Sequence, residues 1–280
     1  MAAIRRSRLG LLAVIVASAV VTALLALPAP QSQAFYIQNH ERITRDALAP
    51  VGVDNAAMNQ ILVGPPPGAG AVGSDAYFFD EFRHIDDAKN PADICVLTVE
   101  AWNFFTPIVL TGAQPVGPNG GDLVDGASAR AAFGGLAHAL QDFYSHSDWV
   151  EDNIAVGQLD RLAPPLMPKC DPATFPAGLH TGFFSLDLGH HEDPMAGCPP
   201  AGPPPGFAEC HSTLNKDAFD TPRGIVPVPG ANMNYFDLAS RLATRATVDL
   251  YWLVRGLVAD KYGECAATNL FQADRHDPCW

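Results

Sequence analysis

The sequence predicts an all-α, single-domain helical bundle that carries one long Pro/Gly-rich, disulfide-braced loop insertion. Apolar residues recur at helical spacing in several long stretches, and alternating strand patterns are scarce. From about residue 162 to 230 a segment rich in proline and glycine interrupts the helical pattern, and it holds Cys170, Cys198 and Cys210. A loop of that length needs cross-links or ligands to be ordered.

Residues 1–34 read as a secretory signal peptide. Arg5, Arg6 and Arg8 precede an apolar run from Leu9 to Leu27, and Ser32-Gln33-Ala34 offers small residues three and one before a cut. The run is also long enough to anchor an uncleaved chain. Cleavage would leave residues 35–280 as one helical domain beginning at Phe35. Helical stretches are predicted around residues 38–49, 54–63, 91–110, 125–150 and 235–262. Asp54 and Asp125 suit N-caps, and Pro91 suits a first helical turn. The last stretch carries a stripe of Leu238, Leu242, Leu250, Leu253, Val254, Leu257 and Val258, with Arg241, Arg245 and Asp249 elsewhere around the axis.

Without its first 34 residues the chain has 14 basic against 30 acidic residues, a formal charge of −16. Such a surface repels long nucleic acid, and bound divalent ions would offset part of the excess. The six cysteines (Cys95, Cys170, Cys198, Cys210, Cys265 and Cys279) all follow the cut, and in an exported chain they read as disulfides. None forms a C-x-x-C pair, so a thiolate zinc site is the weaker reading. Cys265 with Cys279 is the expected tail pairing, on proximity.

The chemistry lies in His138-Ala-Leu-Gln-Asp142-Phe-Tyr-Ser-His146. Steps of four advance a helical side chain by about 40°, so His138, Asp142 and His146 project from one side within about 80°. Two imidazoles and a carboxylate converging there suit zinc. A solvated polar face is the alternative, since Gln141, Ser145, Ser147 and Asp148 lie nearby. Phe133, Leu136, Leu140, Phe143 and Trp149 imply instead a buried helix, where unpaired imidazoles would be costly.

Gly134 to Glu151 resembles the signature segment of the Het-C family, which is similar in turn to the zinc-dependent phospholipase C and P1/S1 nuclease superfamily. The resemblance implies an α-helical enzyme that holds up to three zinc ions in a cleft and hydrolyses phosphoesters. In that pattern the helix aspartate bridges two ions. Phe35, through its free amino group and carbonyl, and His40 five residues later resemble the ligands of one ion. Gly73-Ser-Asp75 through His84-Ile-Asp86 resembles the segment supplying a ligand aspartate and histidine. Asp75, His84 and His138 would then hold a second ion, with Asp75 also the candidate general base and Asp80 its rival. Asp86 and Asp87 read as supporting or capping groups. His146 would hold a third ion, with His211 and Asp217 from Cys210-His211-Ser-Thr-Leu-Asn215-Lys216-Asp217, a stretch that resembles a Het-C segment. His180, the run His190-His191-Glu192-Asp193 and Glu151 compete for that ion, and His276 reads as surface. His146 follows Asp142 after three residues, where the phospholipases and nucleases have five. The resemblance thus implies a secreted zinc phosphoesterase acting on phospholipid head groups, hence a membrane surface, or on nucleotides. The alternative is a Het-C-like recognition or cell-death factor that keeps the zinc fold as a scaffold. A disulfide-braced extracellular protein without functional metal is a third reading.

Overall fold

The computed structural model describes residues 37–275 apart from 67, 78, 79, 118, 119, 185–197 and 200. The expected signal peptide, Phe35, the His190 to Asp193 run, His276 and Cys279 lie outside these residues. Among the described residues the chain is mostly helical. Its helices are α1 (Ile37–Leu48), α2 (Asn55–Leu62), α3 (Glu81–His84), α4 (Pro91–Gly112), α5 (Gly126–His146), α6 (Trp149–Ala155), α7 (His211–Leu214), α8 (Tyr235–Tyr262) and α9 (Glu264–Phe271). Gly73–Tyr77 and Pro172–Thr174 form 3-10 turns. Two-residue strands β1 (Pro115–Val116) and β2 (Asp122–Leu123) pair antiparallel between α4 and α5, with Pro115 opposite Leu123.

Local chemistry sets most of these boundaries. The Asp54 carboxylate accepts from the Ala57 N–H at 2.7 Å and starts α2. Asn90 accepts from the N–H groups of Ala92 and Asp93, and Pro91 occupies the first turn of α4. Asp125 accepts from Ser128 N–H at 3.1 Å and starts α5. Asn234 and Asp237 cap α8 reciprocally. Four predicted stretches therefore recur as α1, α2, α4 and α8, each within two residues of its expected bounds. The fifth, 125–150, is two helices: at Ser147 the backbone turns extended and pairs with Thr181, and α6 restarts at Trp149. Helix α9 escaped the sequence reading because it follows Gly263, which holds φ at 91° and offers no side-chain cap to announce it.

Helix α5 runs through the core, with every residue from Ala129 to His146 buried. A helix buried all round cannot show a polar stripe facing water. Gly134 and Gly135 make its crossings possible. A Cβ on Gly134 would stand 2.0 Å from the Ile61 carbonyl oxygen and 2.7 Å from the Ala71 nitrogen. One on Gly135 would stand 2.4 Å from the Phe105 ring. Helices α2 and α4 thus approach α5 more closely than any side chain would allow.

From Val156 to Asn234 the described residues carry only the turn at Pro172–Thr174 and the single turn of α7. Three strands of backbone are nonetheless tied to the C-terminal end of α5. Gly182 N–H donates to the His146 carbonyl, Thr181 N–H to Ala88, and Asp87 N–H to Gly182. Lys216 N–H donates to the Ser145 carbonyl. Cys95–Cys170 staples this segment to α4, and Cys198–Cys210 closes a shorter loop within it. Cys265 is disulfide-bonded as well.

Candidate metal centre

Helix α5 turns His138, Asp142 and His146 inward, and all three are fully buried. The Asp142 carboxylate sits among three imidazoles from three elements. Its Oδ1 lies 3.1 Å from His40 Nε2 of α1. Its Oδ2 lies 3.0 Å from His138 Nε2 and 3.0 Å from His84 Nδ1 at the end of α3. Asp75, in the turn at Gly73–Tyr77, brings Oδ1 to 3.7 Å from His138 Nε2.

One turn after Asp142 a second group assembles. His146 Nε2 lies 3.1 Å from Asp217 Oδ1 and 3.3 Å from His211 Nε2. His146 Nδ1 faces the His84 carbonyl at 3.2 Å and Asp86 Oδ1 at 3.1 Å, and Asp86 Oδ2 lies 3.8 Å from His211 Nε2. Ser145 Oγ–H donates to Asp217, whose main-chain carbonyl accepts from Asn39 of α1. A Cβ on Gly182 would stand 2.5 Å from His211 Cα, so the 180–183 strand presses α7 against the end of α5.

Three sets of buried side chains offer ligand atoms within 4.8 Å of one another: His40, His138 and Asp142; Asp75, His84 and His138; and Asp86, His146 and His211. The chemistry of these donors fits a cation. The His138 Nδ1–H donates to the Ala71 carbonyl at 2.8 Å, so the neutral ring turns the Nε2 lone pair toward the Asp142 carboxylate. Two acceptors 3.0 Å apart repel unless a proton or a metal lies between them. Both oxygens of Asp75 and Nε2 of His84 are buried with no hydrogen-bond partner, the condition that a bound ion relieves. Asp75, Asp86, Asp142 and Asp217 are four buried carboxylates in one region, and isolated buried carboxylates are strongly disfavoured.

The electrostatics of the buried groups show the same demand for positive charge. Burial lowers His40, but Asp142 and then Asp75 overcome it and raise the ring to about 9. Burial also opposes protonation of His146, yet Asp86, Asp142 and Asp217 hold it well above its ordinary value. His138 falls to about 4, through burial and despite Asp142. Burial raises Asp142, but His138, His40 and His146 outweigh it and keep the carboxylate ionised. Asp75 rises to about 7, chiefly through burial. In the metal-free protein, protons on His40 and His146 occupy the places where a cation would neutralise the aspartates. Buried His/Asp groups here can hold metal ions, and the described cysteines, being in disulfides, do not contribute.

Residues 124–164, which include all of α5 and α6, match a family described as the VWA7 N-terminal domain. The von Willebrand factor A domain-containing protein 7 of Homo sapiens is 28% identical over 156 residues, covering 49% of this chain and 17% of that protein. The match thus spans a small part of the relative. No solved structure matches.

Of the residues singled out from sequence, the structure brings His40, Asp75, His84, His138 and Asp142 together, and His146, His211 and Asp217 beside them. Asp80 is elsewhere engaged: its carboxylate accepts from Arg83 Nε at 2.8 Å. Glu151 pairs with Lys216 at 3.3 Å, and His180 with Asp148 at 3.2 Å, both away from the three sets. Asp87 is a supporting group: its carboxylate accepts from the Phe184 N–H at 2.7 Å. Asp86 is the residue that sequence reasoning undervalued. It faces both His146 and His211, a position suited to ligation as well as to support. The signal was there in His84-Ile-Asp86, but α3 ends at His84 and Ile85 takes a left-handed φ of 51°, which sends the next side chain toward α5. No helical spacing could anticipate that.

Proposed function

We propose that this chain is a secreted, single-domain zinc protein that hydrolyses phosphoesters, a reading in keeping with its resemblance to the Het-C family and the phospholipase C and P1/S1 nuclease superfamily. The observation that carries it is the Asp142 carboxylate held between His40, His84 and His138, with Asp75 beside them. Imidazole and carboxylate donors in a dry site select zinc over calcium or magnesium, which prefer all-oxygen shells. The two disulfides fit an extracellular protein, and the long cross-linked loop supplies His211 and Asp217. Phe35 would add its amino group to the His40 set once the signal is removed.

Zinc bound there would supply Lewis acidity and lower the pKa of a water toward neutrality. The chain's own residues do the rest. His40, His138 and His146 are fully buried, whereas Asp75, His84, Asp86 and His211 keep 3–7% exposure. Asp75, raised to about 7 and with both oxygens uncommitted, is placed to take a proton from an attacking water. The acidic surface favours small or lipid-borne phosphoesters over long nucleic acid.

A second reading keeps the same metal centre as a scaffold in a Het-C-like recognition factor. The complete burial of His40, His138, Asp142 and His146 favours it, because closed sites are the structural kind. The test has two arms. Elemental analysis of the purified mature protein should count two or three zinc ions, and less than one per chain would end both readings. A phosphodiesterase assay on lipid and nucleotide esters should then show turnover that Asp142→Ala abolishes together with bound zinc. Equal, negligible rates in both would leave the scaffold.

A further inference from the structure

Gln141 stands beside Asp142 on α5 and is fully buried, yet it belongs to none of the three candidate metal sets. Its amide joins three helices. Nε2 donates to Thr44 Oγ1 of α1 at 3.0 Å and to Thr247 Oγ1 of α8 at 3.2 Å, and Oε1 lies 2.7 Å from His40 Nδ1. The orientation of that amide follows from the next bond outward. The Thr247 hydroxyl donates to the Ala243 carbonyl at 2.8 Å, so its oxygen is left to accept and must face the Gln141 NH2 group. Oε1 is thereby turned toward His40 and can only accept, which places the ring proton on Nδ1.

We propose that Gln141 is the positioning residue that makes His40 a metal ligand. It holds the proton on Nδ1 and so aims the Nε2 lone pair at the space beside Asp142 Oδ1, 3.1 Å away. The inference rests on the zinc reading above and adds to it a residue that touches neither metal nor substrate. His138 is held in the same tautomer by a main-chain carbonyl, which no substitution removes. The His40 arrangement depends instead on a side chain and on a threonine about a hundred positions further along the chain. Outer partners of this kind typically govern metal affinity by roughly 10- to 100-fold.

The experiment compares the parent, Gln141→Met and Gln141→Glu. Zinc affinity is read by competition with a chelator, and the His40 ring tautomer by nitrogen chemical shifts in the zinc-free protein at pH 10, where the ring is neutral. Gln141→Met keeps the volume and removes the acceptor. It should weaken the ion bound at His40 by roughly 10- to 100-fold, leave the other bound zinc in place, and release His40 from the Nδ1–H form. Gln141→Glu keeps an acceptor facing His40 Nδ1, with the Thr44 hydroxyl able to donate to its other oxygen, and should recover both readouts. A purely structural role would lower the melting temperature of Gln141→Met without moving affinity or tautomer, and that result overturns the proposal. Should Gln141→Met not fold, Thr247→Val removes one anchor of the amide and should weaken the same ion by a smaller factor; unchanged affinity and tautomer there also overturn it. A parent that binds no zinc would refute the zinc reading separately, and because the tautomer is read without metal it would still decide what Gln141 does.

Discussion

Replacing Asp142 with alanine removes the one carboxylate that His40, His84 and His138 all face within 3.1 Å. The side chain is fully buried, so no solvent takes its place cheaply. Two effects add in the zinc-bound protein. An ion present at a hundred times its dissociation constant stabilises the fold by about 2.7 kcal/mol. Asp142 lies against two of the three candidate sets, so up to about 5 kcal/mol of linked stability is at stake. At roughly 2–4 °C per kcal/mol for a chain of this size, melting should fall by about 10–20 °C. Calorimetry with zinc and then with excess chelator separates the parts. Chelator should lower the parent's melting temperature by most of that interval, and the variant's by much less. Equal melting temperatures for parent and variant in zinc would refute the shared-ligand reasoning, because no ion can lose its central carboxylate without loss of binding energy.

Zinc binding should release protons at neutral pH. His40 is raised to about 9, so below pH 9 its ring is protonated in the metal-free protein and an ion taking Nε2 must displace that proton. Affinity should therefore climb as pH rises toward about 9, and calorimetry at pH 7 in buffers of different ionisation enthalpy should detect the release; identical heats would contradict it. His180 offers a test independent of metal. Its hydrogen bond with Asp148 raises the ring to about 9 against an ordinary value of 6.5, so its stabilising contribution is complete below pH 6.5 and is lost as pH rises through 9. His180→Gln should destabilise more at pH 6 than at pH 9.5, measured by urea unfolding as a difference from the parent, and a pH-independent penalty would be evidence against this. Gly134→Ala would put a Cβ 2.0 Å from the Ile61 carbonyl oxygen. That contact is with backbone and cannot be relieved by a rotamer change, so a destabilisation of about 1–3 kcal/mol is expected from denaturant unfolding; a neutral effect would mean that α2 moves freely over α5.

Much of this architecture was legible because its causes are local. Asp54, Asn90 with Pro91, Asp125 and Asn234 each sit at the start of a helix and satisfy amide groups that have no partner within it, and such chemistry repeats at fixed offsets. The spacing of His138, Asp142 and His146 was legible for the same reason. What the spacing left open was whether that face met water or protein. Gly134 and Gly135 decide it by letting α2 and α4 close over α5, and their effect is visible only when the neighbouring Ile61, Ala71 and Phe105 are in place. The break at Ser147 depends on a pairing with Thr181, more than thirty residues away. Asp86 depends on the left-handed turn at Ile85.

The close crossing at Gly134 also links fold to chemistry. It brings the Ala71 backbone against α5, and the Ala71 carbonyl then accepts the His138 Nδ1 proton one helical turn later. His40 reaches the same tautomer through Gln141, and His146 turns its Nδ1 to the His84 carbonyl and Asp86. Three histidines from two helices thus have Nδ1 committed to an acceptor and Nε2 directed at a buried carboxylate. His84 takes the opposite orientation, with Nδ1 toward Asp142 and Nε2 without a hydrogen-bond partner. The agreement of the other three is an arrangement that suits a cation, and it arises from three unrelated acceptors: a main-chain carbonyl beside a glycine crossing, an amide side chain and a carboxylate. A variant that disturbs one of these acceptors should therefore loosen one ion at a time, whereas loss of Asp142 should affect two.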